Sequence, residues 1–176
     1  NSILLITFPQ QRKTTRILFP QKIIYKYVGT IKKNEMKLNE IDKVELLYLQ
    51  IEDYLEIKDV MQSAYSSMPD VYWQESHITK LLKKFPEGQA VIKVNGQIAG
   101  CALSIIVEYN TFEDSHTYRE ITADYSFDSH SDNGDVLYGI DVFIKPEFRG
   151  LRLGRRLYDY RKELCENMNL KGIAFG

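Results

Sequence analysis

The sequence has few of the residues that cross-link small proteins or bind metal ions. Its 176 residues include two cysteines, Cys101 and Cys165, and three histidines, His77, His116 and His130. No spacing among these residues and the acidic ones matches a metal-ligand pattern. We therefore expect both cysteines to be small buried side chains, no metal site, and a reducing cytoplasmic location.

Long apolar runs are also absent. The run from Ile3 to Ile6 in the N-terminal region is too short for a signal-peptide core or a membrane span. No Gly-Lys-Ser/Thr follows a glycine-containing turn, which disfavours a nucleoside triphosphatase. These absences predict a protein without a membrane partner.

Charge is distributed unevenly along the chain. The formal net charge is −1, but residues 1–35 carry seven Lys/Arg against one acid, Glu35, so the remaining residues carry −7. This basic arm could be a targeting or nucleic-acid-binding tail, or an added structural element. We expect a poorly ordered extension over residues 1–35, a domain over residues 36–176, and no nucleic-acid partner.

Hydrophobic periodicity predicts alternating strands and helices. The predicted strands are 44–50, 90–94, 98–107, 136–144 and 170–175, with helices beginning near Asp53, Glu75 and Gly150. Asp53 and Glu56 resemble a capping box, and Asn95-Gly96 suits a type I′ turn. A hairpin followed by a strand–helix–strand crossover predicts an α/β (α+β) domain, with helices on the faces of a mixed, mostly antiparallel sheet.

Residues 110–135 form an acidic insertion between two predicted strands. Seven acids oppose Arg119, for a net charge of −6. The insertion could draw a cationic amine or polyamine towards it. A mobile, solvated loop is an equally good interpretation.

The turn Arg149-Gly150-Leu151-Arg152-Leu153-Gly154 joins a strand to a helix. The first amides of a helix have no internal partner, and the helix dipole adds positive charge there, which favours phosphate binding. Arg155 and Arg156 follow, so four arginines lie within eight residues. They suit a ligand with several phosphates, although a solvated basic helix start would look the same.

The run from Asp141 to Tyr158 resembles the central motif of the GNAT family of N-acetyltransferases. That motif is Arg/Gln-x-x-Gly-x-Gly/Ala after a strand ending in Pro-Glu-Tyr/Phe, and with the element order the resemblance covers about three-quarters of the chain. It implies an acyl-CoA N-acyltransferase-like fold whose C-terminal part lies beyond this sequence. It also implies an enzyme that transfers an acetyl group from acetyl-CoA, its cosubstrate, to a primary amine of a small molecule or protein.

The resemblance implies a set of coenzyme-binding residues. Backbone amides near the pyrophosphate would come from Arg149, Gly150, Leu151, Arg152, Leu153, Gly154 and Arg155. Arg152 replaces the family's middle glycine, and we expect its amide to serve equally well with a negative φ. Backbone groups of Val142 and Ile144 would pair with the pantetheine arm as an added strand does.

Two residues are candidates for catalysis. Acetyl transfer needs a neutral amine, a polarised carbonyl and a proton for the leaving thiolate. In many family members a carboxylate on the strand before the motif acts as base. The aligned position here is Tyr138, whereas the acid on this strand, Asp141, points to the other face by strict alternation. A β-bulge would re-aim Asp141. The tyrosine that often acts as general acid in the family lies beyond Gly176.

Segments around Leu137 to Leu157 also resemble acetyltransferase domains fused ahead of a nitrilase-type carbon–nitrogen hydrolase. An alternative function follows, in which the domain binds acyl-CoA without turnover and regulates an attached hydrolase. Coenzyme A, an amine acceptor, a fused C-terminal hydrolase domain and a second copy of the chain in a homodimer are the expected partners.

Overall fold

The computed structural model describes residues 4–7, 22–25, 41, 43–68, 70–112 and 116–175. Its strands are β1 (Leu4–Thr7), β2 (Lys22–Tyr25), β3 (Val44–Tyr48), β4 (Ala90–Val94), β5 (Gln97–Val107), β6 (Val136–Ile144) and β7 (Gly172–Phe175). They form a seven-stranded sheet in the order β1-β7-β6-β5-β4-β3-β2. The β6–β7 pair is parallel and the other neighbouring pairs are antiparallel. The predicted mixed, mostly antiparallel sheet is confirmed.

Helices cover both faces of this sheet, as predicted. They are α1 (Tyr54–Ala64), α2 (Glu75–Lys84), α3 (Tyr118–Ile121) and α4 (Leu153–Asn167). Ile57 and Met61 of α1 join a core on one face, whereas Leu157 and Leu164 of α4 join a second core on the opposite face. The three longer helices, α1, α2 and α4, bury residues at intervals of three or four, which places them on one stripe. No helix in the described ranges is long and apolar enough to cross a bilayer.

The β4–β5 hairpin turns at Asn95-Gly96, as its sequence predicts. Both residues have positive φ, at 49° and 86°, which is the requirement of a type I′ turn. The Asn95 side chain also accepts a hydrogen bond from the Lys43 amide at 3.0 Å. The turn is therefore tied to the start of β3.

The predicted capping box at Asp53 and Glu56 is wrong. A short 3-10 turn over Ile51–Asp53 precedes α1, and α1 has no side-chain cap. Asp53 instead accepts from the Gln50 amide at 3.1 Å and pairs with Lys93 at 2.9 Å. Glu56 accepts from the Ile98 amide at 2.6 Å. Because Asp53 is the last residue of the 3-10 turn, its side chain bonds within that turn and to β4 and does not cap α1. Both carboxylates therefore connect α1 to neighbouring segments.

Strands β1 and β2 fall within residues 1–35 and were not predicted as strands. They lie at opposite edges of the sheet, where β1 pairs with β7 and β2 pairs with β3. The other residues of this basic arm lie outside the described residues. The expectation of a poorly ordered extension therefore stays a prediction for those residues.

The acidic insertion packs against the domain. It contains α3, and its Ile121 and Phe127 are buried in the same core as α1 and α2. Its described acids all make local contacts: Glu120 with Thr117, Asp124 with Arg119, Asp128 with Lys84, Asp132 with His130, and Asp135 with Lys171. The pairs with Thr117, Arg119 and His130 lie within the insertion, whereas those with Lys84 and Lys171 connect it to other parts of the domain.

Both cysteines are buried free thiols, as expected. Burial raises the pKa of Cys101 and of Cys165, so both stay protonated at neutral pH. Among the described residues, no group of three or more His, Cys, Asp or Glu side chains is arranged to hold a metal ion.

His130 anchors the end of the insertion to β5. Its imidazole stacks on Phe85 with centroids 5.3 Å apart, and its Nδ1 lies 3.1 Å from the Ile106 amide that donates to it. Burial lowers the pKa of His130, and Asp132 partly opposes that effect. A neutral imidazole is therefore the form that this site accommodates.

We expect His130 to make the protein less stable in mild acid. Because its pKa is lower in the folded chain than in the unfolded chain, the unfolded chain binds the proton first as pH falls below about 6.5. The contribution of neutral His130 to stability is thus fully present above about pH 6.5 and is lost progressively below it. His130→Asn keeps an acceptor for the Ile106 amide but does not titrate. Denaturant unfolding between about pH 7.5 and about pH 5.5 should show a smaller loss for the variant; equal losses would contradict this assignment.

Candidate active site

A β-bulge lies in the middle of β6. Leu103 of β5 pairs with Asp141, but the next residue, Ser104, pairs with Gly139, so Ile140 has no counterpart on β5. The extra residue reverses the alternation of the strand after it. Asp141 therefore points to the α1–α2 face, which is also the face of Tyr138 and Phe143. The bulged alternative to strict alternation is the one that the structure adopts.

Two donors orient the Asp141 carboxylate. The Tyr65 hydroxyl donates to Oδ1 at 2.6 Å, and the Trp73 indole Nε1 donates to Oδ2 at 2.9 Å. Tyr65 follows α1 and Trp73 precedes α2, so two remote segments converge on one carboxylate. Burial and the bond to Asp141 raise the pKa of Tyr65, which keeps its hydroxyl protonated as a donor.

A buried arginine fills the bulge from the opposite face. Arg161 of α4 is 2% exposed, and its Nη2 donates to the carbonyls of Leu103 at 2.6 Å and Asp141 at 2.7 Å. Its Nε donates to the Ser104 hydroxyl at 3.0 Å. Burial lowers the pKa of Arg161 to about 10, so it remains charged at neutral pH. The guanidinium satisfies carbonyl groups at the point where the ladder is irregular.

Sequence reasoning did not identify Arg161. A signal was available, because it lies four residues after Leu157 and three before Leu164, on the apolar stripe of α4. A charged residue within such a stripe is rarely buried unless it is hydrogen-bonded. Its position therefore pointed to a structural or functional role.

A pocket of about 450 Å³ opens above Asp141. Aromatic side chains form most of its wall: Tyr65, Tyr72, Trp73, His77, Tyr118 and Tyr125. Trp73 lies at the centre of this group, with ring centroids 5.8 Å from His77 and 5.9 Å from Tyr125, both edge to face. The carboxylate thus lies in a mostly apolar, aromatic recess.

The acidic insertion contributes rings to this pocket. The Tyr118 hydroxyl donates to the Ile140 carbonyl at 3.1 Å, which connects α3 to the bulge. The other candidate catalytic residue, Tyr138, is 1% exposed and is not among the residues that line the pocket. Its hydroxyl lies 3.4 Å from Nε2 of His116. The structure therefore brings Asp141, but not Tyr138, to the pocket.

Beyond the bulge, some backbone groups of β6 face away from β5. On that side β6 pairs with β7 from Val136 to Gly139, which is as far as the described residues of β7 reach. Further along β6, the Lys145 amide donates to the Ala99 carbonyl of β5 at 2.9 Å. Alternation then turns the backbone groups of Val142 and Ile144 away from β5. This is the orientation that an added extended ligand requires.

The turn before α4 leaves backbone amides available. Gly150 has φ of 86°, and the N-cap residue Arg152 has φ of 57° and ψ of 27°, with no side-chain cap on the helix. The expectation of a negative φ at Arg152 is wrong, because the chain must take the left-handed conformation to enter the helix. The amides of Gly150 and of residues 152–155 donate to no backbone carbonyl within the described part of the chain. Amides at such a helix terminus have the arrangement that suits an anion.

The four arginines near this turn differ in their contacts. Arg152 and Arg156 line a second cavity of about 380 Å³ together with Gly150, Leu151 and Leu153. Arg149 donates to the Ala64 carbonyl at 3.2 Å, and Arg155 lies 3.8 Å from Asp159. Two arginines therefore contribute positive charge to the cavity at the helix start.

The comparisons with known proteins agree with this geometry. The sequence profile of the Acetyltransferase (GNAT) family matches residues 54–175. The chain is 32% identical over 134 residues to the probable hydrolase YhcX of Bacillus subtilis (strain 168), which covers 76% of this chain and 26% of that protein. It is 29% identical over 107 residues to the uncharacterized N-acetyltransferase YkwB of the same organism, covering 61% and 47%.

The chain thus spans less than half the length of each of these two relatives. Among solved structures, the loading GNATL domain of CurA from Lyngbya majuscula has a TM-score of 0.59 at 22% identity, over 70% of this chain and 59% of that one. This likeness shows a shared fold.

Removal of the Arg161 guanidinium should destabilise the bulge. Arg161→Met leaves the carbonyls of Leu103 and Asp141 without their donor in the core, at a cost of about 1–3 kcal/mol for each buried group. Urea unfolding measures the loss. Lys162→Met, on the exposed side of the same helix, is the matched control and should change stability by less than about 0.5 kcal/mol. Equal effects of the two substitutions would show that the guanidinium contributes nothing specific.

The relative stability of two substitutions at Arg152 should show whether its backbone has the left-handed conformation. Glycine adopts positive φ without steric cost, whereas alanine at φ of 57° keeps the Cβ clash. We expect Arg152→Gly to be more stable than Arg152→Ala by about 1 kcal/mol, measured by thermal and denaturant unfolding. The reverse order, with alanine favoured, would mean that Arg152 has negative φ in solution.

Proposed function

The chain belongs to the Acetyltransferase (GNAT) family, whose profile covers residues 54–175, and we propose that it transfers an acetyl group from acetyl-coenzyme A to a primary amine. The observation that carries the proposal is the position of Asp141, whose carboxylate lines an aromatic pocket next to the β6 bulge. A recess for an amine and backbone groups for a coenzyme thus meet at one carboxylate.

The coenzyme phosphates would bind at the start of α4. The amides of Gly150 and of residues 152–155 supply donors, and the helix dipole adds partial positive charge at the same point. Arg152 and Arg156 line the adjoining cavity and would add charge-assisted hydrogen bonds. Arg155 would contribute its backbone amide. The predicted amide roles of Arg149 and Leu151 are wrong, because the Arg149 amide donates to the Pro146 carbonyl at 3.1 Å and the Leu151 amide to the Phe148 carbonyl at 3.4 Å.

The pantetheine arm would extend along β6. The backbone groups of Val142 and Ile144 point away from β5 and can pair with an amide-containing chain as a neighbouring strand would. A chain lying along this side of β6 from the α4 turn runs towards the bulge at Ile140. The thioester would then lie close to Asp141 and the aromatic pocket.

Asp141 would accept the proton of the attacking amine. An amine that arrives as an ammonium ion first releases one proton to solvent. The neutral nitrogen then forms a bond to the acetyl carbon as the carbon–sulfur bond breaks, and the proton that Asp141 takes from the nitrogen passes to the leaving thiolate, which departs as the coenzyme A thiol. Tyr65 and Trp73 hold the carboxylate in position for this transfer. Tyr138 is buried beneath the site, and we assign it to positioning β6 at the bulge.

Asp141→Asn should separate catalysis from coenzyme binding. Loss of a positioned general base typically lowers the rate by about a hundredfold or more. We expect kcat/KM for thiol release from acetyl-coenzyme A to fall by that amount, while calorimetric affinity for coenzyme A is retained. Glu163→Gln, an exposed carboxylate on α4, is the control for charge removal. Unchanged turnover in Asp141→Asn would exclude Asp141 as the base.

A second candidate function is a sensor domain that binds acyl-coenzyme A without turnover and regulates an attached hydrolase. One comparison favours it, because the matching relative YhcX is described as a probable hydrolase and only 26% of it is covered. Tyr138 at the position of the family carboxylate also fits this function. Coenzyme A binding without thiol release across a panel of amines would support the sensor, whereas release with any amine would support the transferase.

A further inference from the structure

The walls of the Asp141 pocket have an unusual combination of groups. Six aromatic rings and two carboxylates, Asp70 and Asp141, line it, and the described residues of its wall include no lysine or arginine. Such a recess combines negative charge with apolar faces. Both features favour a ligand that is cationic at one end and apolar elsewhere.

We propose, on the basis of the acetyl transfer proposed above, that the acceptor is a small amine with an apolar, flat body and no carboxylate of its own. Its nitrogen lies against Asp141, and its body lies among the rings of Trp73, Tyr118 and Tyr125. Arylalkylamines are the substrate class that these contacts describe.

Pocket size favours a small molecule over a protein surface. The volume of about 450 Å³ lies within the range of small-molecule sites, roughly 300–1,000 Å³. The rings are already arranged around one centre: Trp73 lies 5.9 Å from Tyr125 and 6.3 Å from Tyr118, at interplanar angles of 69° and 46°. A planar group inserted here would meet ring edges and faces at favourable orientations.

Charge selects against amines that carry an acid. Each Asp141 oxygen accepts one hydrogen bond from the protein and keeps lone-pair capacity for an incoming ammonium group. Asp70 adds a second negative charge to the wall, which repels a substrate carboxylate. Burial and nearby Lys80 lower the pKa of His77, so its ring adds no positive charge at neutral pH.

A lysine lies beside one ring of this wall. The Lys58 ammonium is 4.3 Å from the centroid of the Tyr72 ring, although Lys58 is not among the residues that line the pocket. The charged groups that line the recess itself are therefore the carboxylates of Asp70 and Asp141.

The insertion positions the Tyr125 ring at the pocket by means of a strained backbone turn. Ala123, Asp124 and Tyr125 have φ of 47°, 52° and 62°, three consecutive non-glycine residues in the left-handed region. Such conformations cost about 1 kcal/mol or more each and persist where the surroundings enforce them. Here the enforcing contacts include buried Phe127, whose amide donates to the Thr122 carbonyl at 2.8 Å, and the Asp124 amide, which donates to the Arg119 carbonyl at 2.8 Å. The strained turn presents Tyr125 to the pocket.

The test uses Trp73, which is the one tryptophan of the chain, as the probe. Intrinsic fluorescence is titrated with phenethylamine and with phenylalanine, which differ by a single carboxylate, at saturating free coenzyme A. We expect phenethylamine to quench Trp73 with an affinity at least about tenfold higher, because the acid meets two carboxylates in the pocket. Steady-state thiol release should give the same preference in kcat/KM.

Two ring substitutions sharpen the test. Tyr125→Leu removes a pocket ring and should weaken phenethylamine binding by roughly threefold to tenfold, whereas Tyr125→Phe should retain it. Tyr158→Leu, the same change on the opposite face of the sheet, should leave amine affinity unchanged. Circular dichroism establishes that each variant is folded.

Equal quenching by phenethylamine and phenylalanine would overturn the proposal, as would full affinity in a folded Tyr125→Leu variant. A short peptide with a free N-terminus that binds more tightly than phenethylamine would also overturn it. Quenching of Trp73 by phenethylamine and not by phenylalanine, without thiol release, would support the proposed ligand class of the pocket and would exclude the transferase activity. The two proposals can therefore fail separately.

Discussion

The candidate site depends on the hydrogen bonds that the Arg161 guanidinium donates where it is buried against the middle of the sheet. It donates to the carbonyls of Leu103 and Asp141 at the point where Ile140 interrupts the β5–β6 ladder. Buried carbonyls without donors are costly, so an irregular ladder in the core needs such a partner. Because the charge on Arg161 is itself costly to bury, the bulge and the arginine stabilise one another.

The bulge decides how β6 presents its groups beyond Ile140. The reversed alternation turns Asp141 to the α1–α2 face, where Tyr65 and Trp73 hold its carboxylate. The same alternation turns the backbone groups of Val142 and Ile144 away from β5. One local irregularity thus sets both the position of the carboxylate and the direction of the backbone groups along which a coenzyme would extend. The start of α4 follows the end of β6.

The acidic insertion acts through its aromatic residues more than through its net charge. Its described acids are engaged in local pairs, whereas Tyr118 and Tyr125 line the pocket and Phe127 packs beneath it. The charge of the pocket comes from Asp141 on β6 and from Asp70 between α1 and α2. Residues far apart in sequence therefore form a recess whose chemistry no one segment contains.

The sequence by itself determined the local elements. Apolar alternation predicts β6 from Val136 to Ile144, and Asn95-Gly96 predicts the hairpin turn, because both depend on neighbouring residues alone. The motif at Arg149 to Gly154 likewise identified the family. Tertiary structure decided the rest, including the positive φ of Arg152 and the orientation of Asp141. Those depend on strand register and on donors from distant segments, and neither is encoded in local spacing.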